Sequence, residues 1–319
     1  MSAVDILTAS RLPPLYLDPL RAACQVHERL HETDPAALAA LAPKIRAIAA
    51  SGESKVSAEL MAQLPALEIV SVMGVGYDGV DVQAAKARGV KVTHTPGVLD
   101  DEVADTTIGL MLCAARQLPA ADRYVRAGDW PTKGPMPLQT KMSGKRLGLV
   151  GMGRIAKAIA HRAAAFGMPI AYTARSAKPE LPYRFLPSAA ALAAESDFLV
   201  VITPGGAATR KLIDANVLQA LGKGRGEGIL VNVARGPVVD EAALIDALEA
   251  RTIAGAALDV FENEPQVPDR LKALPHVVLA PHIGSATRET RQAMADLALA
   301  NLRAHFAGQP LLTPVPELR

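Results

Sequence analysis

Apolar residues fall into short runs along this chain, separated by alanine- and leucine-rich stretches of helical spacing. The runs at 4–9, 45–50, 67–73 and 90–93 predict strands, and the stretches at 14–23, 35–41, 57–63 and 82–88 predict the helices between them. Thr95-Pro96-Gly97 breaks the pattern, Asp100 and Asp101 lead into a long helical segment at 103–118, and a hinge is placed here. A second series opens with an apolar run from Leu147 to Val150. Strands follow at 168–173, 197–202, 229–233, 253–258 and 277–280, with helices at 155–165, 188–194, 214–221 and 241–249. The last helical stretch, 287–307, is long enough to cross back and cap the first series. Repeated strand-helix units predict an α/β fold of two doubly wound parallel sheets, whose ligands bind beyond the carboxyl ends of the strands. The domains expected are 1–98 plus 287–319, and 99–286, with an active-site cleft between them.

Residues 128–141 (GDWPTKGPMPLQTK) interrupt the second series. They are proline-rich, predict no regular element and hold the only tryptophan, Trp130. An arm of this kind is either a clasp between subunits, where tryptophan is enriched, or a plain surface loop.

Composition narrows the function classes. The chain has 319 residues, 50% of them hydrophobic, and a net charge of +2, which suits a globular two-domain protein. It has no block of Lys or Arg, so neither nucleic acid nor a membrane surface is an expected partner. Residues 1–12 lack a cationic start joined to an apolar run, and nowhere do about 18 uncharged apolar residues follow one another, so the expected compartment is the cytoplasm. Cys24 and Cys113 stand far apart, without metal-type spacing. They are expected to be small core residues of a protein with no disulfide and no metal.

The richest stretch is KRLGLVGMGRIA, residues 145–156. A strand runs into Gly151-Met152-Gly153-Arg154-Ile155-Ala156, the G-x-G-x-x-A form of a dinucleotide turn. The first glycine permits the turn, the second admits a pyrophosphate, and the small sixth residue lets helix and strand pack closely. The helix N-terminus then faces the phosphates. After the next strand come Arg175 and Ser176, with no carboxylate before Glu180. An acid there would take the ribose hydroxyls of NAD, whereas arginine and a hydroxyl suit the 2′-phosphate of NADP(H).

Three chemical residues follow later strands. Arg235 lies in the turn after 229–233, where its guanidinium can pair bidentately with a substrate carboxylate. Glu264 belongs to an acidic run after 253–258, and His282 follows the last strand. An imidazole is the usual proton donor near neutral pH, and a carboxylate on its second nitrogen fixes the tautomer. Each alone has a plain structural reading, as a capping charge, a solvated acid or a loop histidine; together they point to catalysis. In the first series, Gly74-Val75-Gly76-Tyr77-Asp78-Gly79-Val80-Asp81 reads either as a backbone N–H concavity for a carboxylate or as a turn ending in an Asp81 N-cap.

GMGRIA, NVARGPVVDEAAL, ALDVFENEP and PHIGSAT, in this order and spacing, resemble the D-isomer-specific 2-hydroxyacid dehydrogenases, from about Val70 to the end of the C-terminal helix. The resemblance implies a flavodoxin-like substrate domain and a Rossmann cofactor domain. It implies Arg235 as the substrate-orienting residue, Glu264 as partner of the histidine and His282 as general acid/base. Val75, Gly76 and Ser285 would meet substrate. Gly151, Gly153, Arg154, Ile155, Arg175, Ser176, Thr203, Pro204, Val233, Ala234, Asp259, His282 and Gly284 would line the cofactor, Asp259 at the nicotinamide amide. The Arg175-Ser176 pair is similar to that of the NADPH-using glyoxylate/hydroxypyruvate reductases, so the activity implied is reduction of a small 2-oxo acid to the D-2-hydroxy acid, with NADPH preferred over NAD(H). A homodimer through the cofactor domain and the Trp130 arm is implied too. Ala104-Asp105 stands where family members often carry Ala-Glu. Other readings on the same frame are an NAD-linked D-lactate, formate or phosphoglycerate enzyme, the last often carrying a further regulatory domain that is not expected here. A nucleotide-sensing corepressor and a non-redox enzyme holding NAD are two more.

Overall fold

Two separate parallel sheets take up the strands of the computed structural model, which describes residues 4–318. Residues 1–3, the start of the stretch read for a leader, and Arg319, the end of the first domain as read from the sequence, lie outside the described residues. The first sheet holds β1 (Asp5–Thr8), β2 (Gln25–Glu28), β3 (Ile45–Ser51), β4 (Ile69–Met73) and β5 (Lys91–Thr93), in the order β2-β1-β3-β4-β5. Every pairing is parallel, and this is the flavodoxin-like doubly wound order. Interior β4 is buried along its whole length, Ser71 included, as a strand of a sheet covered on both faces should be.

One compact unit ends at Leu99 and resumes at Thr287; the other is Asp100–Ala286. The helix Arg288–Phe306 therefore packs on the first sheet, where the Ser71 hydroxyl of β4 donates to the Ala298 carbonyl at 3.0 Å. Thr287 caps this helix, its side-chain oxygen accepting from the Thr290 N–H.

The second sheet holds β6 (Leu147–Val150), β7 (Ile170–Thr173), β8 (Arg184–Phe185), β9 (Phe198–Val201), β10 (Ile229–Asn232), β11 (Gly255–Leu258) and β12 (Val277–Leu279). The order is β12-β11-β10-β9-β6-β7-β8, again all parallel. Its first six strands follow the Rossmann arrangement, and the order reverses between β6 and β9, which makes that edge the switch point for a ligand.

The helix Asp100–Arg116 begins with Asp100, Asp101 and Glu102, acids that favour the positive end of the helix. It lies against the helix Arg154–Ala164, whose Ala156, Ala160 and Ala163 are buried and small enough for close approach. Asp101 and Asp105 both pair with Arg162 across this contact, so Asp105 helps to anchor one helix to the other. At the opposite end of the sheet from the ligand edge, Asp197 accepts from the Arg146 backbone and guanidinium and from Lys223. Burial alone would push its carboxyl up; Arg146 and Lys223 together reverse this and hold it below the usual carboxylate range.

Several details differ from the sequence reading. β2 and β8 were not anticipated, because one is a polar edge strand and the other only two residues long. The long segment at 103–118 is a helix ending at Arg116, followed after left-handed Gln117 by a second helix, Leu118–Arg126. The arm is not wholly irregular, since Asp129–Lys133 forms a short helix around Trp130.

Candidate active site

The turn after β6 has the shape a dinucleotide needs. Gly151 sits at φ 105°, and a Cβ there would fall 2.4 Å from the Ile202 carbonyl at the end of β9, so only glycine fits. A Cβ on Gly153 would meet nothing within 4 Å: the chain's own packing does not require this glycine, and the space before it is open for a phosphate. Gly153 is also the N-cap of the helix Arg154–Ala164 and offers no side-chain cap, which leaves the first N–H groups for a ligand. These features fit a bound dinucleotide. Ile155 is half-buried against the same core, while the Arg154 guanidinium pairs with Asp100 at 2.7 Å. Thr203 and Pro204 follow β9 at this edge, with the Pro204 carbonyl accepting from the Thr209 hydroxyl at 2.7 Å.

Arg175 and Ser176 are exposed just beyond β7. The loop that carries them is closed by the Lys178 N–H donating to the Tyr172 hydroxyl at 2.6 Å, and Tyr172 is itself buried edge-on against Phe185. Arginine and serine thus stand on a short pinned loop, facing solvent.

Buried Asn232, the last residue of β10, shapes the next turn. Its side chain donates to the Arg235 carbonyl and accepts from the Ala234 N–H, both at 3.1 Å, so Val233, Ala234 and Arg235 cannot continue the strand. The Arg235 guanidinium donates to the Ala234 carbonyl at 2.7 Å. At Gly236 a Cβ would lie 1.8 Å from the Phe261 carbonyl oxygen, so this turn rests directly on the turn after β11.

That second turn carries the acids. The Glu264 carboxylate accepts the Phe261 N–H at 2.8 Å with one oxygen, and its other oxygen lies 2.8 Å from Nδ1 of His282. The imidazole is half-buried. His282 has φ 52°, a conformation uncommon for a residue with a side chain. Asp259 holds it there, accepting from the Ile283 and Gly284 N–H groups at 2.7 and 2.8 Å, while the Asp259 carbonyl takes the His282 N–H at 2.9 Å. Burial pushes the Asp259 carboxyl up, and the two N–H groups oppose this. Glu241, whose carboxyl burial also raises, accepts the Glu262 N–H at 3.2 Å and braces the loop from behind. Ser285, half-buried, follows in the same loop.

Of the residues expected to carry chemistry, the fold joins Glu264 and His282 directly and seats Arg235 on the adjoining turn. Asn232, Asp259 as a loop clamp and Glu241 escape sequence reasoning. The one signal for the first two is a polar residue at the buried end of a strand.

In the first unit, the turn after β4 is as tight as its glycines suggest: a Cβ on Gly79 would lie 2.2 Å from the Ser54 carbonyl. Asp81 caps the following helix Val82–Ala87, accepting from the Ala84 N–H at 2.8 Å. No hydrogen bond among the described residues uses the N–H of Val75 or Gly76. The loop thus ends in the Asp81 N-cap, one of its two sequence readings.

Comparison with known proteins agrees with this layout. Residues 108–284 match the family model "D-isomer specific 2-hydroxyacid dehydrogenase, NAD binding domain". The glyoxylate/hydroxypyruvate reductase A of Arabidopsis thaliana is 50% identical over 271 residues, 85% of each chain. A hydroxyphenylpyruvate reductase of Plectranthus scutellarioides is 50% identical over 278 residues, 87% of this chain and 88% of the relative. The crystal structure of an NADPH-dependent glyoxylate/hydroxypyruvate reductase from Sinorhizobium meliloti, in complex with NADP and malonate, superposes with a TM-score of 0.93 at 46% identity, over 99% of this chain and 98% of the other. No helix among the described residues is long and apolar enough to cross a membrane. On its motifs, its two sheets and these matches, the chain belongs to the D-isomer specific 2-hydroxyacid dehydrogenase family and is an oxidoreductase with an NAD(P)-binding domain.

Proposed function

We propose that the enzyme reduces glyoxylate and hydroxypyruvate to the D-2-hydroxy acids with NADPH as preferred cofactor. The observation that carries this reading is the Glu264–His282 pair, 2.8 Å apart, on the sheet whose switch point holds the glycine turn. The names of the Arabidopsis and Sinorhizobium proteins support the substrate class.

Gly151, Gly153 and the first turn of the helix Arg154–Ala164 hold the pyrophosphate, and Arg175 with Ser176 takes the 2′-phosphate. When bound, the reduced nicotinamide supplies the hydrogen and electron pair for C2 of the substrate. Arg235 pairs with the substrate carboxylate and carbonyl oxygens and stabilises charge developing on the carbonyl. The N–H groups of Val75 and Gly76 take the carboxylate, and Ser285 lies near the substrate's own substituent. Protonated His282 gives the Nε2 proton to the forming alkoxide, and Glu264 holds the ring by Nδ1 so that Nε2 points at that oxygen. Run in reverse, neutral Nε2 accepts the hydroxyl proton.

Steady-state kinetics with glyoxylate, hydroxypyruvate, pyruvate and phenylpyruvate, each with NADPH and NADH, tests the assignment. The first two substrates with NADPH are expected to give the highest kcat/KM, and preference for another acid or for NADH would overturn it. Arg175→Asp should lower kcat/KM for NADPH by about 10- to 100-fold, the worth of one charge-assisted phosphate contact, and favour NADH. An unaltered cofactor ratio would mean that the phosphate is read elsewhere.

The same reading includes a homodimer through the cofactor unit. Leu118, Val125, Trp130 and Leu138 are 47%, 57%, 61% and 100% exposed on the arm and the helix before it, an apolar face suited to a second copy. Sedimentation should give a dimer, and a wild-type monomer would exclude it.

A further inference from the structure

The proposed carboxylate site uses the Val75 and Gly76 N–H groups, and the chain contains a device that aims one of them. Nδ1 of His94 lies 2.9 Å from the Val75 carbonyl oxygen. A carbonyl only accepts, so Nδ1 carries the proton and donates. The Val75–Gly76 peptide is trans, and in a trans peptide the C=O and the following N–H point in opposite directions. A bond that fixes the Val75 carbonyl therefore fixes the Gly76 N–H on the far side and polarises it toward an anion.

His94 is itself held firmly. It is 8% exposed, just beyond β5, and its ring meets the Tyr77 ring edge-on, with centroids 5.1 Å apart and planes at 86°. Tyr77 belongs to the same loop as Val75 and Gly76, and its hydroxyl donates to the Glu317 carboxylate at 3.1 Å. On the backbone side, the His94 N–H donates to the Thr313 carbonyl at 3.2 Å and the His94 carbonyl accepts from the Thr313 hydroxyl at 2.5 Å. Fully buried Asn301 pins Thr313 in turn, accepting from its N–H at 3.0 Å and donating to its hydroxyl oxygen at 2.8 Å. The C-terminal segment thus anchors a histidine that is otherwise unemployed by the mechanism.

We infer that His94 is a positioning residue for substrate: through its Nδ1–H bond to Val75 it aims the Gly76 N–H at the carboxylate of the 2-oxo acid. The inference rests on the reading of Val75 and Gly76 as carboxylate donors.

Three substitutions separate the donor from the rest of the side chain. His94→Phe keeps a ring against Tyr77 but has no donor. His94→Asn places an amide N–H close to where Nδ1 stands. Tyr77→Phe removes the hydroxyl that reaches Glu317 and keeps the ring. With His94→Phe, KM for glyoxylate and the inhibition constant of malonate, used as a carboxylate probe, should each rise about 10-fold, as loss of one hydrogen bond to an anion predicts. Turnover at saturation and the Kd of NADPH should stay within about two-fold, since neither depends on the bond to Val75. His94→Asn should restore both constants to within about three-fold of wild type, and Tyr77→Phe should move them less than His94→Phe does.

Unchanged constants in His94→Phe, or equal losses in His94→Phe and His94→Asn, would overturn the assignment. A readout on the wild-type enzyme holds even where the phenylalanine variant fails to fold. Imidazole ¹⁵N spectra, with the His94 signals assigned by their loss in His94→Asn, should show a proton on Nδ1, and a ring without one overturns the inference. Wild-type protein that neither oxidises NADPH with glyoxylate nor binds malonate would remove the parent reading and this inference together. Wild-type activity with an indifferent His94→Phe removes this inference alone.

Discussion

Replacing His282 by alanine should lower kcat for glyoxylate reduction by about 10²- to 10⁴-fold, the usual worth of a positioned general acid. NADPH should still bind within a few-fold of wild type, because the pyrophosphate site proposed above is the turn after β6, apart from His282. Among the described residues one imidazole, that of His282, is hydrogen-bonded to Glu264, and water in its place has neither a fixed direction nor an imidazolium proton to give. Steady-state kinetics together with cofactor fluorescence titration read the two effects separately. A variant with undiminished turnover would show that the alkoxide takes its proton from another group. Glu264→Gln should cost less than the alanine substitution, since an amide oxygen still accepts from Nδ1–H but no longer stabilises the charged ring.

Gly236→Ala should be nearly as damaging without touching substrate at all. The added methyl would lie 1.8 Å from the Phe261 carbonyl oxygen and 2.4 Å from the Glu262 nitrogen, so backbone has to move in one turn or the other. Overpacking of this kind costs about 1–3 kcal/mol in stability. The larger loss is expected in catalysis, because Arg235 and Glu264 sit on the two turns that are forced apart. A displacement on the order of 1 Å is worth about 100-fold in kcat/KM. Thermal denaturation of the variant and kcat/KM below its melting temperature separate the two effects. Wild-type kcat/KM in a folded Gly236→Ala would mean that the contact between these turns does not position the site.

How much of this was legible beforehand follows from where each signal resides. The helix Glu241–Glu249 was read to the residue, because an apolar face of helical spacing is a local signal. Gly151 and Gly153 were legible for the same reason, as spacing within one strand-turn-helix unit. Arg235, Glu264 and His282 were placed by topology, since residues just after parallel strands gather at one edge, and by the four ordered motifs. Their distances were not available, because 18 positions of chain separate Glu264 from His282. Asn232, Glu241 and His94 went unseen as supporting groups for a different reason. Glu241 and His94 work through a backbone group of another segment, of which composition carries no trace, and Asn232 works through a side-chain bond within its own turn that periodicity does not display. β8 was missed because two residues cannot display a period, and β2 because an edge strand needs no continuous apolar run.

The most direct test of the central claim, that this enzyme reduces a 2-oxo acid with hydrogen taken from NADPH, is to follow the label. Hydroxypyruvate is reduced in ordinary water with NADPH carrying deuterium at C4 on the transferred face. The glycerate formed is then examined for isotope and configuration. D-glycerate with deuterium at C2 is the predicted result. Unlabelled or L-configured glycerate, or no oxidation of NADPH at all, would contradict it.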